Sequence, residues 1–222
     1  VTLAQIRLLT RKILFSVAKN ADVDQGTLDL LLDGINKSLW LRAVKAAQTM
    51  FTVWTDVTVV VNADGKYDLE PLCTAGLYRL VRVELFTALG NRVPLDPIYV
   101  NDRAEFELPS IVASSQDPGA WFTLKGNSTT SEELYLVPKP SRDVKLRIFY
   151  VPNLESWTDN LEALGGHIAL SSLHTLIAAE AALALGAVNV TALRDRLEAS
   201  FNDTIRKRHG QGARKAHYEP YE

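Results

Sequence analysis

The chain has 222 residues, enough for one ordinary domain or two small ones with a substantial core. Apolar residues make up 47% and charged residues 23%, the balance of a globular protein and not of a disordered one. With 24 Lys and Arg against 26 Asp and Glu the net charge is −2, which argues against a general nucleic-acid coat or a polybasic membrane binder, and the lone Cys73 excludes an internal disulfide framework and a thiolate zinc cluster.

Residues 1–50 read as a helix pair. Leu3, Ile6, Ile13, Leu14 and Val17 recur at helical spacing, with Arg7, Arg11 and Lys12 between them. Turn chemistry follows over residues 20–26, and Asp24 or Thr27 is placed to cap a second helix running to about Met50. Leu28, Leu31, Leu32, Ile35, Leu39 and Ala43 form its apolar face.

At Phe51 the pattern changes. Residues 51–61 are rich in β-branched and aromatic side chains, which suit a pleated surface. Further strands are predicted around 67–69, 77–85, 121–125, 133–137 and 144–151. Gly90-Asn91 is a hairpin-type turn, and the two prolines of Val93-Pro-Leu-Asp-Pro-Ile98 suit an edge strand or loop. Residues 101–115 read as a short helix or an irregular crossover, and 126–131 as a polar loop. Pro138-Lys-Pro-Ser-Arg-Asp143 is a turn, which predicts that the two strands around it form a hairpin with one buried and one wet face.

Helix grammar returns after Trp157. A long helix is expected from Thr158 or Asp159 to Leu185, stopped by Gly186 and crowded with Ala178, Ala179, Ala181, Ala182 and Ala184. A last helix carries Val190, Leu193, Leu197, Phe201 and Ile205. From Arg206 the apolar pattern stops, and residues 206–222 read as an extended basic tail. The expected fold is α+β. An antiparallel bundle of about four helices, from residues 1–50 and 158–205, carries an inserted antiparallel β sandwich or barrel over residues 51–157.

The run 168–190 is interrupted by Ser171, Ser172, His174, Thr175, Glu180 and Asn189, too polar for a bilayer span. Basic residues are dispersed through the first twenty positions instead of preceding an apolar stretch, so a soluble intracellular chain without a membrane partner is expected.

Catalytic signatures are sparse. Gly165-Gly166 lacks the lysine and hydroxyl of a phosphate loop. His167 and His174 share a helix face, but only Ser171 joins them at helical spacing, and they read as ordinary histidines, like His209 and His217. Cys73 has no base nearby in sequence and reads as a buried thiol. Glu132 and Glu133 would point to opposite faces of a strand. No cofactor, metal or catalytic residue is expected. Trp40, Trp54, Trp121 and Trp157 read as core or subunit-contact anchors. A nucleic-acid stacking platform would need them interleaved with arginine on one sheet, at which only Lys145 and Arg147 hint.

One local pattern stands out: a strand ending in Pro-x-Pro, Leu134-Tyr-Leu-Val-Pro-Lys-Pro140, then a strand ending in an aromatic pair, Leu146-Arg-Ile-Phe-Tyr150, then the long helix. With this element order, the chain resembles the head-to-tail adaptor (connector or head-completion) proteins of tailed bacteriophages. The resemblance implies a structural, non-enzymatic virion protein at the neck, present in the host cytoplasm during assembly. It implies a ring of twelve copies beneath the portal protein, continuing the channel through which genomic DNA passes without sequence-specific binding. That ring would be a platform for a downstream tail or nozzle protein. By the same resemblance the C-terminal extension docks on the portal, which places Arg206, Lys207, Arg208, Arg214, Lys215, Tyr218 and Tyr221 in that contact. The alternative is a nucleic-acid-binding module using the basic tail and the hairpin around Pro138.

Overall fold

The computed structural model describes residues 2–17, 23–61, 65–73, 76–99, 117–125, 132–154, 157 and 173–216; at 16, 17, 125, 188 and 208–216 it describes the backbone alone. The fold is α+β. Two compact units divide the chain: Val1–Phe51 with Leu154–Glu222, and Thr52–Asn153 between them. Phe51 and Trp157 therefore belong to the helical unit and not to the β module.

The helical unit contains α1 (Leu3–Val17), α2 (Gln25–Ala46), α3 (Leu173–Ala184) and α4 (Thr191–Ala216). Of the two candidate caps for α2, Asp24 is the cap: its Oδ2 accepts from the Thr27 backbone N–H at 3.0 Å, satisfying one of the free donors of the first turn. Helix α2 ends at Ala46, and a single 3₁₀ turn, Gln48–Met50, leads to Phe51. The Phe51 ring meets Trp40 edge-on at 6.4 Å between centroids, and both are buried. Leu14 of α1 packs with Ala182, Ala187 and Val190. Ala178, Ala179, Ala181 and Ala182 are fully buried, so the alanine face of α3 is a close-packing surface inside the unit. Gly186, at φ +95°, ends that helix in the left-handed conformation a glycine adopts without strain. Polar clamps tie the helices together: Arg7 grips Asp29 across α1 and α2, and Arg42 donates to Glu198 across α2 and α4 at 2.6 Å. The Trp157 backbone N–H donates to Asp33 Oδ1 at 2.7 Å.

Helix α4 changes the reading of the tail. Residues 206–216 continue the helix and are not extended chain. Arg, Lys, Ala and Gln are good helix formers, and no proline intervenes before Pro220. The Asp203–Lys207 pair, 2.6 Å apart at i,i+4, supports the junction. The expected helix start over 158–172, the segment 101–115 and the loop 126–131 lie outside the described residues.

The second unit is a β sandwich. Its strands are β1 (Val53–Val59), β2 (Lys66–Asp68), β3 (Arg79–Phe86), β4 (Arg92–Pro94), β5 (Asp96–Pro97), β6 (Ala120–Lys125), β7 (Glu132–Val137) and β8 (Val144–Val151). They form two four-stranded sheets, ordered β1-β8-β3-β4 and β2-β7-β6-β5. Pairing is antiparallel except between β5 and β6. Leu80, Val83, Leu85, Leu146, Ile148 and Tyr150 from the first sheet share one core with Tyr67, Trp121, Leu134 and Leu136 from the second. Each fully buried Leu or Ile stabilises the unit by about 1.5–3 kcal/mol.

The expected hairpin across Pro138 does not form. Strand β7 lies between β2 and β6 in one sheet, and β8 between β1 and β3 in the other. Pro138 and Pro140 have no N–H to extend a ladder, so the chain changes sheets there. The alternation in β8 is nonetheless real, because one face of its sheet is wet. The prolines of β4 and β5 do lie on edges. Between them buried Leu95 carries the chain from sheet to sheet, donating its N–H to the Val83 carbonyl at 2.9 Å while Asp96 donates to Gly119.

Candidate functional site: a cation–aromatic face on one sheet

The outward face of the β1-β8-β3-β4 sheet gathers aromatic and charged side chains in ranks across the strands. Successive residues of a strand point to opposite faces. With Val57, Leu146 and Ile148 turned toward the core, Trp54, Asp56 and Thr58 on β1 and Lys145, Arg147 and Phe149 on β8 share the other face. On β3 strict alternation from buried Leu80 would turn Arg82 inward. A register irregularity between Leu80 and Arg82 inserts one extra residue, so Arg82, Glu84 and Phe86 point outward while Val83 and Leu85 are buried. The cross-strand register then lines up Trp54, Phe149 and Arg82, and beside them Asp56, Arg147, Glu84 and Pro94. Phe86 pairs with Arg92 at the next level.

Every ring on this face has a cation over it. Arg147 lies 4.0 Å from the Trp54 centroid and 5.5 Å from that of Phe86. Lys145 Nζ is 4.7 Å from the Phe86 centroid, and the Arg82 guanidinium 4.3 Å from that of Phe149. Such contacts contribute about 0.5–1 kcal/mol each at exposed sites. Two carboxylates organise the cations. Asp56 accepts from Arg147 Nε at 2.6 Å and Nη2 at 2.8 Å, a bidentate pair. That hydrogen bonding holds the Asp56 carboxyl below its usual range and raises Arg147. Glu84, only 7% exposed, sits below the surface, with Arg82 Nη2 2.9 Å from Oε1 and Arg92 Nη1 3.6 Å from Oε2. The acids are thus consumed within the face. Trp54, 56% exposed, and the outer parts of Arg82, Arg92 and Lys145 meet solvent.

Lys145 and Arg147, at which the sequence hinted, do lie among aromatic rings on one sheet. Trp54, Arg82, Phe86, Arg92 and Phe149 were not foreseen beside them. Period-two alternation could place residues within β1 and β8, but the β3 irregularity and the pairing register have no sequence signature. Of the expected tail contacts, Arg206 and Lys207 are exposed on α4, and Lys207 pairs with Asp203. Arg208, Arg214 and Lys215 lie on the same helix. Tyr218 and Tyr221 are outside the described residues. Cys73 is buried, and burial pushes its thiol up to about 12, with Glu132 adding to the effect. His174 lines a groove on the helical unit with Gln5, Leu8, Leu9 and Lys12. No helix among the described residues is long and apolar enough to cross a membrane.

No protein-family model matches the sequence, and a comparison with curated proteins finds no match.

Proposed function

We propose that this chain is a structural assembly protein, a head-to-tail adaptor of a tailed phage that forms a ring beneath the portal and receives the tail. The observation that carries this reading is that each unit has its own core and its own exposed large side chains. Leu8, Phe15 and Leu30 stand out on the helices, and Trp54 on the sandwich. A protein that joins two different partners needs two surfaces, and exposed aromatic groups such as Phe15 and Trp54 suit the anchor role in protein contacts. Ring closure requires one surface of a copy to meet a different surface of the next. In this reading the last turns of α4 and residues 217–222 contact the portal, and no bond is made or broken by the chain.

Deletion of residues 206–222 tests it. The truncated chain retains Phe201 and Ile205, both buried, and is expected to fold yet fail to join portal-containing heads. Normal attachment would remove the tail from the portal contact. Absence of the full-length protein from the neck of the assembled particle would end the adaptor reading.

One second reading, a nucleic-acid-binding module, rests on the basic run Arg206-Lys207-Arg208 carried by α4. Filter binding with short DNA separates the two: specific, sub-micromolar retention by the isolated chain supports the module.

A further inference from the structure

We infer that the outward face of the β1-β8-β3-β4 sheet is a docking site for an acidic protein surface, with Trp54 as its apolar anchor and Arg82, Arg92 and Lys145 as its carboxylate-binding groups. The inference stands on the face alone and not on the adaptor reading.

Charge complementarity selects the partner. Asp56 is held bidentate by Arg147, and Glu84 is buried under Arg82 and Arg92, so the charge offered outward is positive. Glu84 anchors Arg82 at 2.9 Å and lies within ion-pair range of Arg92 at 3.6 Å, while both arginine side chains remain about half exposed. Arg92 lies beside Phe86 and Lys145 stands over the same ring, so an apolar patch is set between two cations. Tryptophan and arginine dominate the binding energy of many protein interfaces; here Arg82 and Lys145 stand on the central strands β3 and β8, and Trp54 and Arg92 on the edge strands β1 and β4 that flank them.

A nucleic acid fits less well. Bases stack on open aromatic faces, whereas Trp54, Phe86 and Phe149 each already carry a cation over the ring. Asp56 stands in the same rank as Arg147, beneath any phosphate laid along that line. A carboxylate-bearing protein surface can engage Arg82, Arg92 and Lys145 without displacing any of these contacts.

The test uses the full chain and three labelled probes: a short peptide of alternating glutamate and leucine, its lysine–leucine counterpart, and oligo-dT. The expected result is binding of the glutamate peptide alone, with shifts confined to backbone amides around residues 54, 82, 86, 92, 145 and 147 in two-dimensional NMR. Arg92→Glu combined with Lys145→Glu, at exposed positions, should weaken that binding at least about tenfold. Trp54→Ala should weaken it comparably with all charges retained, and Lys45→Glu at an exposed position of α2 should leave it unchanged. Tighter binding of oligo-dT than of the glutamate peptide would make the face a nucleic-acid surface and overturn the inference. So would failure of the glutamate peptide to bind, or binding indifferent to both face variants.

Discussion

Arg147 is stacked on Trp54 at 4.0 Å and held edge-on by both oxygens of Asp56. One guanidinium thus satisfies an aromatic ring and a carboxylate on the neighbouring strand. Arg147→Ala is expected to cost about 1 kcal/mol of stability, the scale of one exposed cation–aromatic contact with its ion pair. Arg147→Lys should recover only part of it, because an ammonium lacks the planar fork. Chemical denaturation measures the loss, and Trp54 emission should shift to the red as the ring becomes wetter.

The same pair fixes a pH dependence. The folded carboxyl of Asp56 is depressed by Arg147, so its contribution is complete above the unfolded value of about 3.9 and is lost as pH falls through the lower folded value. An NMR titration should place the Asp56 midpoint below that of an unperturbed aspartate. In Arg147→Leu the midpoint should return toward the ordinary range. An ordinary midpoint in the unsubstituted protein would refute the pairing in solution.

Cys73 should behave as a hidden acid. With its thiol raised to about 12, it stays neutral and inaccessible at pH 8, and thiol reagents are expected to label it only after denaturation. The linkage has the opposite sign to that of Asp56. The stabilising difference is present below the unfolded value of about 8.5 and is lost as pH rises toward the folded one. Rapid labelling of the native chain would contradict the burial.

Gly34 lies in the middle of α2, exposed, and a methyl group built there meets nothing within 4 Å. Gly34→Ala should therefore raise the thermal midpoint, with a gain of about 0.5–1 kcal/mol from helix propensity alone. If this helix face is covered in an assembled ring, the same substitution should leave the isolated chain more stable and the assembly weaker. Calorimetry and particle reconstitution read the two effects separately.

The division into helices, β module and helices was legible because the apolar period changes at Phe51 and again after Trp157, and burial enforces those periods. Gly186 and the edge prolines Pro94 and Pro97 were legible too, since each obeys a local backbone rule. Strand pairing was not. The turn at Pro138 looked like a hairpin because turn residues say that the chain reverses, not which sheet receives it. The helical continuation past Ile205 was hidden because an amphipathic pattern stops where burial stops, whereas a helix stops only where the backbone is broken. The candidate face was half visible: alternation marked Lys145 and Arg147, but their rings arrive from β1 and β3, whose alignment depends on pairings far apart in sequence.

The helical unit is assembled from both sides of the sandwich, with Leu14 of α1 packed on Ala182 and Ala187. On the ribosome α1 and α2 emerge before α3, so the face of α1 around Leu14 stays open until the whole sandwich has been synthesised. The sandwich, whose core residues all lie within its own stretch, can close before α3 appears. The order of translation therefore favours the inserted module as the early folder and the bundle as the late one.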